Sequence, residues 1–336
     1  MTKDTKIPIW LDCDPGHDDT IALLFSLFHP NIKLLGVSTV FGNSSIRNTT
    51  YNALSILTSF NHLNIPVFQG NDKPIDSKKH NETAPAIHGE NGLEGYKLTY
   101  PKNKIQNETI EEFYQYLNNI IDEYEDEISI VAIGPLTNIS QFFLQYPDSR
   151  YKIKFISIMG GGIDIWNFKG KGEFNLWNDP KAANLIFQDD ILKNRTILSP
   201  LNLTHTLILT KEIQKQIYDI SKDLTNEFRK LIHDLMIFFA ETYKERQGFS
   251  KGPPVHDPIA VYLLLNEYNL LKFVDQSFKY EYLNLNVSEE QNENEGQILY
   301  EKDSEGVKVV FNVNVEQFWD ILLSVIDIGD LYIHGN

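Results

Sequence analysis

From the start of the chain to about Ile191, apolar runs of strand length alternate with amphipathic stretches of helical length. That alternation predicts a parallel sheet covered by helices. The predicted strands are Ile7 to Leu11, Lys33 to Val40, Ile65 to Phe68, Ile128 to Ile133, Ile153 to Met159 and Thr196 to Leu198. Ser45 to Phe60, Ile110 to Tyr124, Leu136 to Tyr146 and Pro180 to Gln188 read as helices. Farther on the pattern changes. Thr210 to Lys244 is mostly helical, and Phe278 to Val287, Gly296 to Glu301 and Val307 to Val313 read as a late meander before a last helix, Glu316 to Val325. The polar run Glu289 to Glu295 is predicted to be a hairpin loop. No proline- or serine-rich linker and no internal repeat divides the chain. The expected fold is therefore α/β, a single domain over residues 1–336 with a Rossmann-like, mostly parallel central sheet flanked by helices.

Where the first predicted strand ends, Asp12-Cys13-Asp14-Pro15-Gly16-His17-Asp18-Asp19 places four carboxylates between a buried strand pattern and the helix that opens at Thr20. Pro15-Gly16 reads as a tight turn. Asp18 and Asp19 alone fit ordinary helix N-cap positions, but Asp12 and Asp14 add like charge that costs energy unless something neutralises it. A hard divalent cation bound by oxygens is the simplest remedy. The bland alternative is a solvated acidic turn with one capping Asp.

Composition narrows the class. With 336 residues and 42% hydrophobic content, the chain can bury a large core, which excludes wholesale disorder. A formal net charge of −16 argues against nucleic acid or an anionic membrane as partner and favours neutral or cationic substrates. The single cysteine, Cys13, cannot form an intramolecular disulfide. Met1 to Lys6 lacks the apolar run of a signal peptide, and no apolar stretch is long enough to span a bilayer. The expected compartment is the cytoplasm, with the nucleus open.

Open parallel sheets bind ligands at the carboxyl ends of their strands, and several polar turns fall there. They are Val40-Phe41-Gly42-Asn43, Ile133-Gly134-Pro135-Leu136-Thr137-Asn138 and Met159-Gly160-Gly161-Gly162. Each is equally readable as a plain strand-to-helix turn. The glycine-rich stretch Asn167 to Asn175 holds two amides and a carboxylate, Asn167, Glu173 and Asn175, around Phe174. Such groups fix hydroxyls, although a surface loop of capping residues before Asn178-Asp179-Pro180 accounts for the composition as well. His256-Asp257 precedes the apolar helix Ile259 to Leu265, where an Asp is most often a cap and a lone His a satisfied loop residue.

Taken as a set, DCDPGHDD, the VFGN turn, HGENGLEG at His88 to Gly95, the IGPLTN turn, EFN at Glu173 to Asn175 and VHDP resemble the inosine-uridine preferring nucleoside hydrolases in order and spacing. The resemblance covers nearly the whole chain, and IPIWLDCDPGHDDTIALLFSLFHP is similar to the uridine-preferring fungal branch of that family. It implies a calcium ion held by Asp14, Asp19, Asp257 and the main-chain carbonyl of Ile133. It also implies ribose contacts from Asp18, Asn43, Asn167, Glu173 and Asn175. His88, Met159 and Phe174 would lie beside sugar and base, and His256 would face the leaving base. Tyr243 and Gln247, four residues apart on one helical face, would overhang the base and read a pyrimidine edge; an ordinary exposed amphipathic helix is the other reading.

The implied reaction is hydrolysis of a ribonucleoside, uridine preferred, to ribose and free base, with Asp14 as general base to a water activated by calcium and His256 as candidate acid. The implied partners are a small ribonucleoside and further copies of the chain, as a homodimer or homotetramer. Three alternatives stand beside it: a broad-specificity purine and pyrimidine or nicotinamide riboside hydrolase, a metal-dependent phosphohydrolase using Asp-x-Asp, and a non-catalytic nucleoside-binding relative. The phosphohydrolase reading leaves Glu173-Phe174-Asn175 unexplained, and intact Asp14, Asp19 and Asp257 speak against the non-catalytic one.

Overall fold

The computed structural model describes residues 6–76, 78–79, 81–219, 221, 225–271 and 276–335. Nine strands form one sheet: β1 (Ile7–Cys13), β2 (Ile32–Thr39), β3 (Val67–Gln69), β4 (Ser129–Ala132), β5 (Phe155–Met159), β6 (Thr196–Ser199), β7 (Lys279–Val287), β8 (Ile298–Lys302) and β9 (Val307–Asn312). Their spatial order is β3-β2-β1-β4-β5-β6-β9-β7-β8. All pairings from β3 to β9 are parallel, and β7 alone runs against its neighbours. Every residue of β1 is buried, because it pairs on both sides and carries a hydrophobic layer on each face. Among the described residues, no helix is long and apolar enough to cross a membrane.

The strand order reverses between β2 and β4, on either side of β1. Chains leaving β1 and β4 in opposite directions open a crevice at their carboxyl ends, which is where such sheets take ligands. The acidic segment after β1 and the Ile133-Gly134-Pro135 turn after β4 both fall at that crevice.

The late strands depart from a meander. β7 hairpins with β8 through the predicted polar loop, but β9 then passes β8 and inserts between β6 and β7. Burial explains the choice. Val307, Val309 and Val310 need cover, whereas Leu299 to Lys302 of β8 are exposed and suit an edge. Thr210 to Lys244 divides into the helices Lys211–Ile217 and Glu227–Gln247; the connecting residues 220 and 222–224 lie outside the described set. The last helix, Val315–His334, runs well past Val325. Gly329 lets it pass close to Phe228, where a Cβ would lie 2.7 Å from that ring, and Arg229 pairs with Asp327 and Asp330 on its polar side.

Candidate active site

The helix His17–Phe28 begins directly over the end of β1, and Asp19 holds the turn in place. Its carboxylate accepts from the backbone N–H of Asp14 (3.1 Å) and of Gly16 (2.9 Å) and from Asn43 Nδ2 (3.0 Å). Asp14 Oδ2 accepts from the Asn43 backbone N–H at 2.7 Å, while Asp14 Oδ1 is buried and has no hydrogen-bond partner among the described residues. Glycine makes room for this side chain. A Cβ on Gly134 would lie 2.6 Å from Asp14 Oδ1, and one on Gly42 would collide with Oδ2.

Asp257 arrives from the far end of the chain as the residue before the helix Pro258–Glu267. Its side chain makes no capping hydrogen bond. It turns instead to the acidic cluster, where carboxylate oxygens of Asp18, Asp19 and Asp257 all lie within 4.8 Å of one another. Burial, followed by the charges of Asp18, Asp19 and Asp14, pushes the Asp257 carboxyl far above the usual range. Asp14 is driven the same way by burial and then by Asp19, and Asp18 is pushed up to about 8 by burial and the Asp19 charge. Four carboxylates at 5% exposure or less cannot all ionise without a counter-charge. The orphaned Asp14 oxygen and the oxygen-only donor set fit a hard divalent cation.

Above the cluster lies a cavity of about 220 Å³. Every residue the sequence marked for substrate lines it: Asp18, Asn43, His88, Met159, Asn167, Glu173, Phe174, Asn175, Tyr243 and Gln247, together with His256, Asp257 and Ile133. Asp14 and Asp19 are not among the lining residues; they sit behind that floor. In this geometry Asp18 takes the place of Asp14 in the tightest carboxylate group, although the charge of Asp14 still acts on Asp257.

One wall is built on Glu173. The segment expected to be loop closes into a short helix, Phe174–Asn178, because the Glu173 carboxylate accepts from the N–H groups of Gly161 (2.7 Å), Asn175 (3.1 Å) and Leu176 (3.1 Å). The capping reading and the cavity-lining reading both hold. Asn175 Nδ2 donates to the carbonyls of Ile133 (2.9 Å) and Met159 (3.3 Å), which leaves its side-chain oxygen as an acceptor. Asn43 is used in the same way, with Nδ2 donating to Asp19 and to the Asp14 carbonyl. Asn167 Oδ1 accepts from Phe174 N–H, and its carbonyl accepts from Gln247 Nε2, so the glycine-rich segment is tied to the helix overhead.

The opposite wall carries His256. Its backbone N–H donates to Asp18 Oδ2 at 3.2 Å, Nδ1 lies 2.7 Å from Thr204 Oγ1, and Nε2 lies 2.9 Å from the Tyr243 hydroxyl. Burial, with a smaller contribution from His205, holds the ring well below the usual histidine range, so it is neutral. Burial also raises the Tyr243 phenol, which stays protonated.

Thr204, His17, Arg246 and the segment Thr83 to Ile87 were not singled out by sequence. Thr204 carries no signal of its own. His17 was legible only as part of DPGHDD. Arg246 lines the cavity from the helix of Tyr243, and Thr83 to Ile87 form its rim.

The acidic floor and the polar walls thus meet in one cavity at the carboxyl ends of the strands. The chain belongs to the inosine-uridine preferring nucleoside hydrolase family, whose profile matches residues 9–320. Among its relatives, the uridine nucleosidase of Saccharomyces cerevisiae is 40% identical over 336 residues, covering 97% of each chain. A probable ribonucleoside hydrolase of Dictyostelium discoideum is 30% identical, covering 97% of this chain and 96% of its own. A pyrimidine-specific ribonucleoside hydrolase of Klebsiella pneumoniae is 34% identical over 77% of this chain and 79% of its own. In fold the chain is similar to a plant nucleoside hydrolase (TM-score 0.83, 24% identity, covering 95% and 98%). It is also similar to a purine-preferring ribonucleoside hydrolase from Gardnerella vaginalis (TM-score 0.82, 23% identity, covering 96% and 99%).

Proposed function

We propose that the protein, acting as one domain over residues 1–336, hydrolyses the N-glycosidic bond of ribonucleosides with uridine preferred, giving ribose and free base. The observation that carries this reading is the meeting in one cavity of an acidic floor, an amide and carboxylate wall suited to hydroxyls, and a Tyr243–His256 pair on the other wall. Uridine preference is supported by the names of the yeast and Klebsiella relatives and by Tyr243 and Gln247, which line the cavity from one helix. The shared fold does not decide it, since the Gardnerella structure with the same fold prefers purines.

Asp14, Asp18, Asp19, Asp257 and the Ile133 carbonyl are the groups that would hold the cation, for which calcium is proposed from their all-oxygen character. Bound there, calcium offsets the packed negative charge and raises the acidity of a neighbouring water.

Asp14 is the general base. Its partnerless Oδ1 accepts a proton from the water whose oxygen forms the new bond to the anomeric carbon. The carbon–nitrogen bond to the base breaks as positive charge grows on the ribose ring. Carboxylates of Asp18 and Glu173 and the side-chain oxygens of Asn43 and Asn175 face that charge, an arrangement that favours an oxocarbenium-like transition state. Tyr243, held by His256, lines the cavity on the side proposed for the base and supplies its hydrogen bond. Measuring free ribose from uridine, cytidine, inosine, adenosine and nicotinamide riboside, with calcium and with chelator, tests the reading. Uridine should lead, and chelator should stop release; release that survives complete calcium removal would overturn the cation assignment.

A further inference from the structure

Three residues of one helix, Tyr243, Arg246 and Gln247, line the cavity. Their spacing of three and four places them on one face, with Arg246 about 4.5 Å farther along the axis than Tyr243. Tyr243 is 7% exposed, whereas Arg246 and Gln247 are exposed, so the last turn stands at the mouth. That turn is fixed at its end. Gly248 stops the helix in the left-handed region (φ 76°) with its N–H on the Tyr243 carbonyl, and Gln247 Nε2 donates to the carbonyl of Asn167 at 3.1 Å. Arg246 differs from its neighbours: its guanidinium has no hydrogen bond or ion pair among the described residues. The Tyr243 hydroxyl meets His256 Nε2, and the second nitrogen of that ring meets Thr204. Whichever way those hydrogens point, Tyr243 offers a base one neutral hydrogen bond and no charge.

Hydrolysis of a ribonucleoside moves the electron pair of the glycosidic bond onto the base, while Asp18, Asp257 and Glu173 line the same cavity and oppose a new anion there. Among the described lining residues, the one cation that faces it is Arg246. We propose that Arg246 carries the leaving group: its guanidinium donates to the oxygens of a pyrimidine base as the glycosidic bond breaks, and the base departs as an anion paired with Arg246. This role rests on the ribonucleoside reading. A uracil anion spreads its charge from N1 onto O2 and O4, and the planar fork of guanidinium N–H groups matches such in-plane oxygens. A purine has no oxygen beside its glycosidic nitrogen, so the same contact favours pyrimidines. The step balances without an acid on the protein. Water gives its oxygen to the anomeric carbon and one proton to Asp14, and the base keeps the electron pair of the broken bond. After release the anion takes a proton from solvent, and Asp14 returns its own.

The deciding measurement is calorimetric titration of the full chain, with calcium and ribose present, using barbiturate, a planar pyrimidine that is an anion at neutral pH, and neutral uracil. The wild type should bind barbiturate about tenfold more tightly than uracil, Arg246→Gln should lose that margin, and Arg246→Lys should keep part of it. Equal barbiturate affinity in wild type and Arg246→Gln overturns the proposal, and so does a wild type that binds barbiturate no better than uracil. Turnover gives the second readout. Arg246→Gln should lower kcat for uridine about ten- to hundredfold, the smaller side of what losing a donor to developing charge costs, because the mouth is open to water. The loss should be smaller for 5-fluorouridine, whose base is the more stable anion; equal losses on the two substrates remove Arg246 from the leaving group. Guanidinium ions added to Arg246→Ala should restore part of the uridine turnover, which a merely structural role would not allow. A wild type that holds barbiturate through Arg246 yet releases no ribose sinks the ribonucleoside reading and leaves the anion site standing. A wild type that cleaves uridine no faster than Arg246→Gln does sinks the proposal alone.

Discussion

The Tyr243 hydroxyl sits 2.9 Å from His256 Nε2, while Thr204 Oγ1 engages the other nitrogen of the same ring at 2.7 Å. A neutral imidazole held at both ends does not offer a free proton, so on the proposed mechanism His256 acts through Tyr243, which lines the cavity. Tyr243→Phe should lower turnover of uridine by about a hundredfold. It should leave a riboside with a stable anionic leaving group, such as p-nitrophenyl riboside, nearly unaffected. Equal losses on both substrates in steady-state assays would separate Tyr243 from the leaving group. Because burial has pushed His256 well below its ordinary range, the rate profile should also show no limb near pH 6.5 that disappears in His256→Asn.

Asp14→Asn should leave the fold intact and cut turnover by about a hundredfold or more, since it removes the positioned base. The amide still accepts from Asn43 N–H, so thermal stability with calcium present should change little. Turnover above a tenth of wild type, with calcium bound by direct titration, would sink the assignment.

These assignments draw on a site whose floor was legible in the chain and whose supports were not. Asp14, Asp18 and Asp19 lie within one strand-turn-helix, where like charges so close in sequence must be close in space. Asp257 was visible only through its motif, because an Asp before a helix looks like a cap until its side chain is seen to make no capping bond. Thr204 and His17 meet the rings of His256 and His88 across separations of 52 and 71 residues, and no local pattern encodes such a pairing. The same limit applied to the sheet. Strand patterns marked β7, β8 and β9, but which one is interior depends on how much of each is covered, and β9 rather than β8 reaches β6. Glu173 shows a further case: one carboxylate both caps Phe174–Asn178 and lines the cavity, so neither reading of its loop was the whole answer.

Removing the cation should expose the pH dependence of the buried carboxylates. Asp18 is raised from 3.8 to about 8 and Asp12 from 3.8 to about 7, in both cases chiefly by burial. Between those limits the folded chain holds protons that the unfolded chain has released, so stability without cation falls as pH rises through this window. Calcium held there would compensate the ionised carboxylates around Asp18 and reverse much of that loss. The gap in melting temperature between calcium and chelator should therefore be small at pH 5 and large at pH 8. A gap independent of pH would show that these carboxylates do not hold the ion.

Glu173→Ala should raise the Michaelis constant, lower turnover and also destabilise the protein by about 1–2 kcal/mol, because three backbone N–H groups lose their acceptor. Glu173→Gln keeps an acceptor and should recover the stability without the full activity. Asn167→Ala tests the wall from its other end. If this wall takes the 5′ hydroxyl of the ribose, the variants should barely distinguish uridine from 5′-deoxyuridine. If they discriminate as strongly as wild type does, the wall touches something else.

The last prediction separates sugar from base. 2′-Deoxyuridine should be cleaved about a thousandfold less efficiently than uridine, because the missing hydroxyl leaves buried polar groups around Asp18 without their partner. Uridine 5′-monophosphate should also be poor, for a different reason. Its phosphate brings about two negative charges into a cavity whose wall and floor already hold Glu173, Asp18 and Asp257. Among the described residues, Arg246 is the one lysine or arginine lining the cavity, and it stands on the helix of Tyr243 and Gln247. If Arg246 reads the base edge, Arg246→Gln should weaken uridine binding without improving use of the monophosphate; improved use of the monophosphate would show that charge on this wall, rather than the Glu173 side, sets the exclusion. Uridine should exceed inosine in kcat/KM, since Tyr243 and Gln247 present one phenol and one amide over a cavity of about 220 Å³. Inosine cleaved at least as efficiently would retire the pyrimidine preference and leave the ribohydrolase chemistry standing.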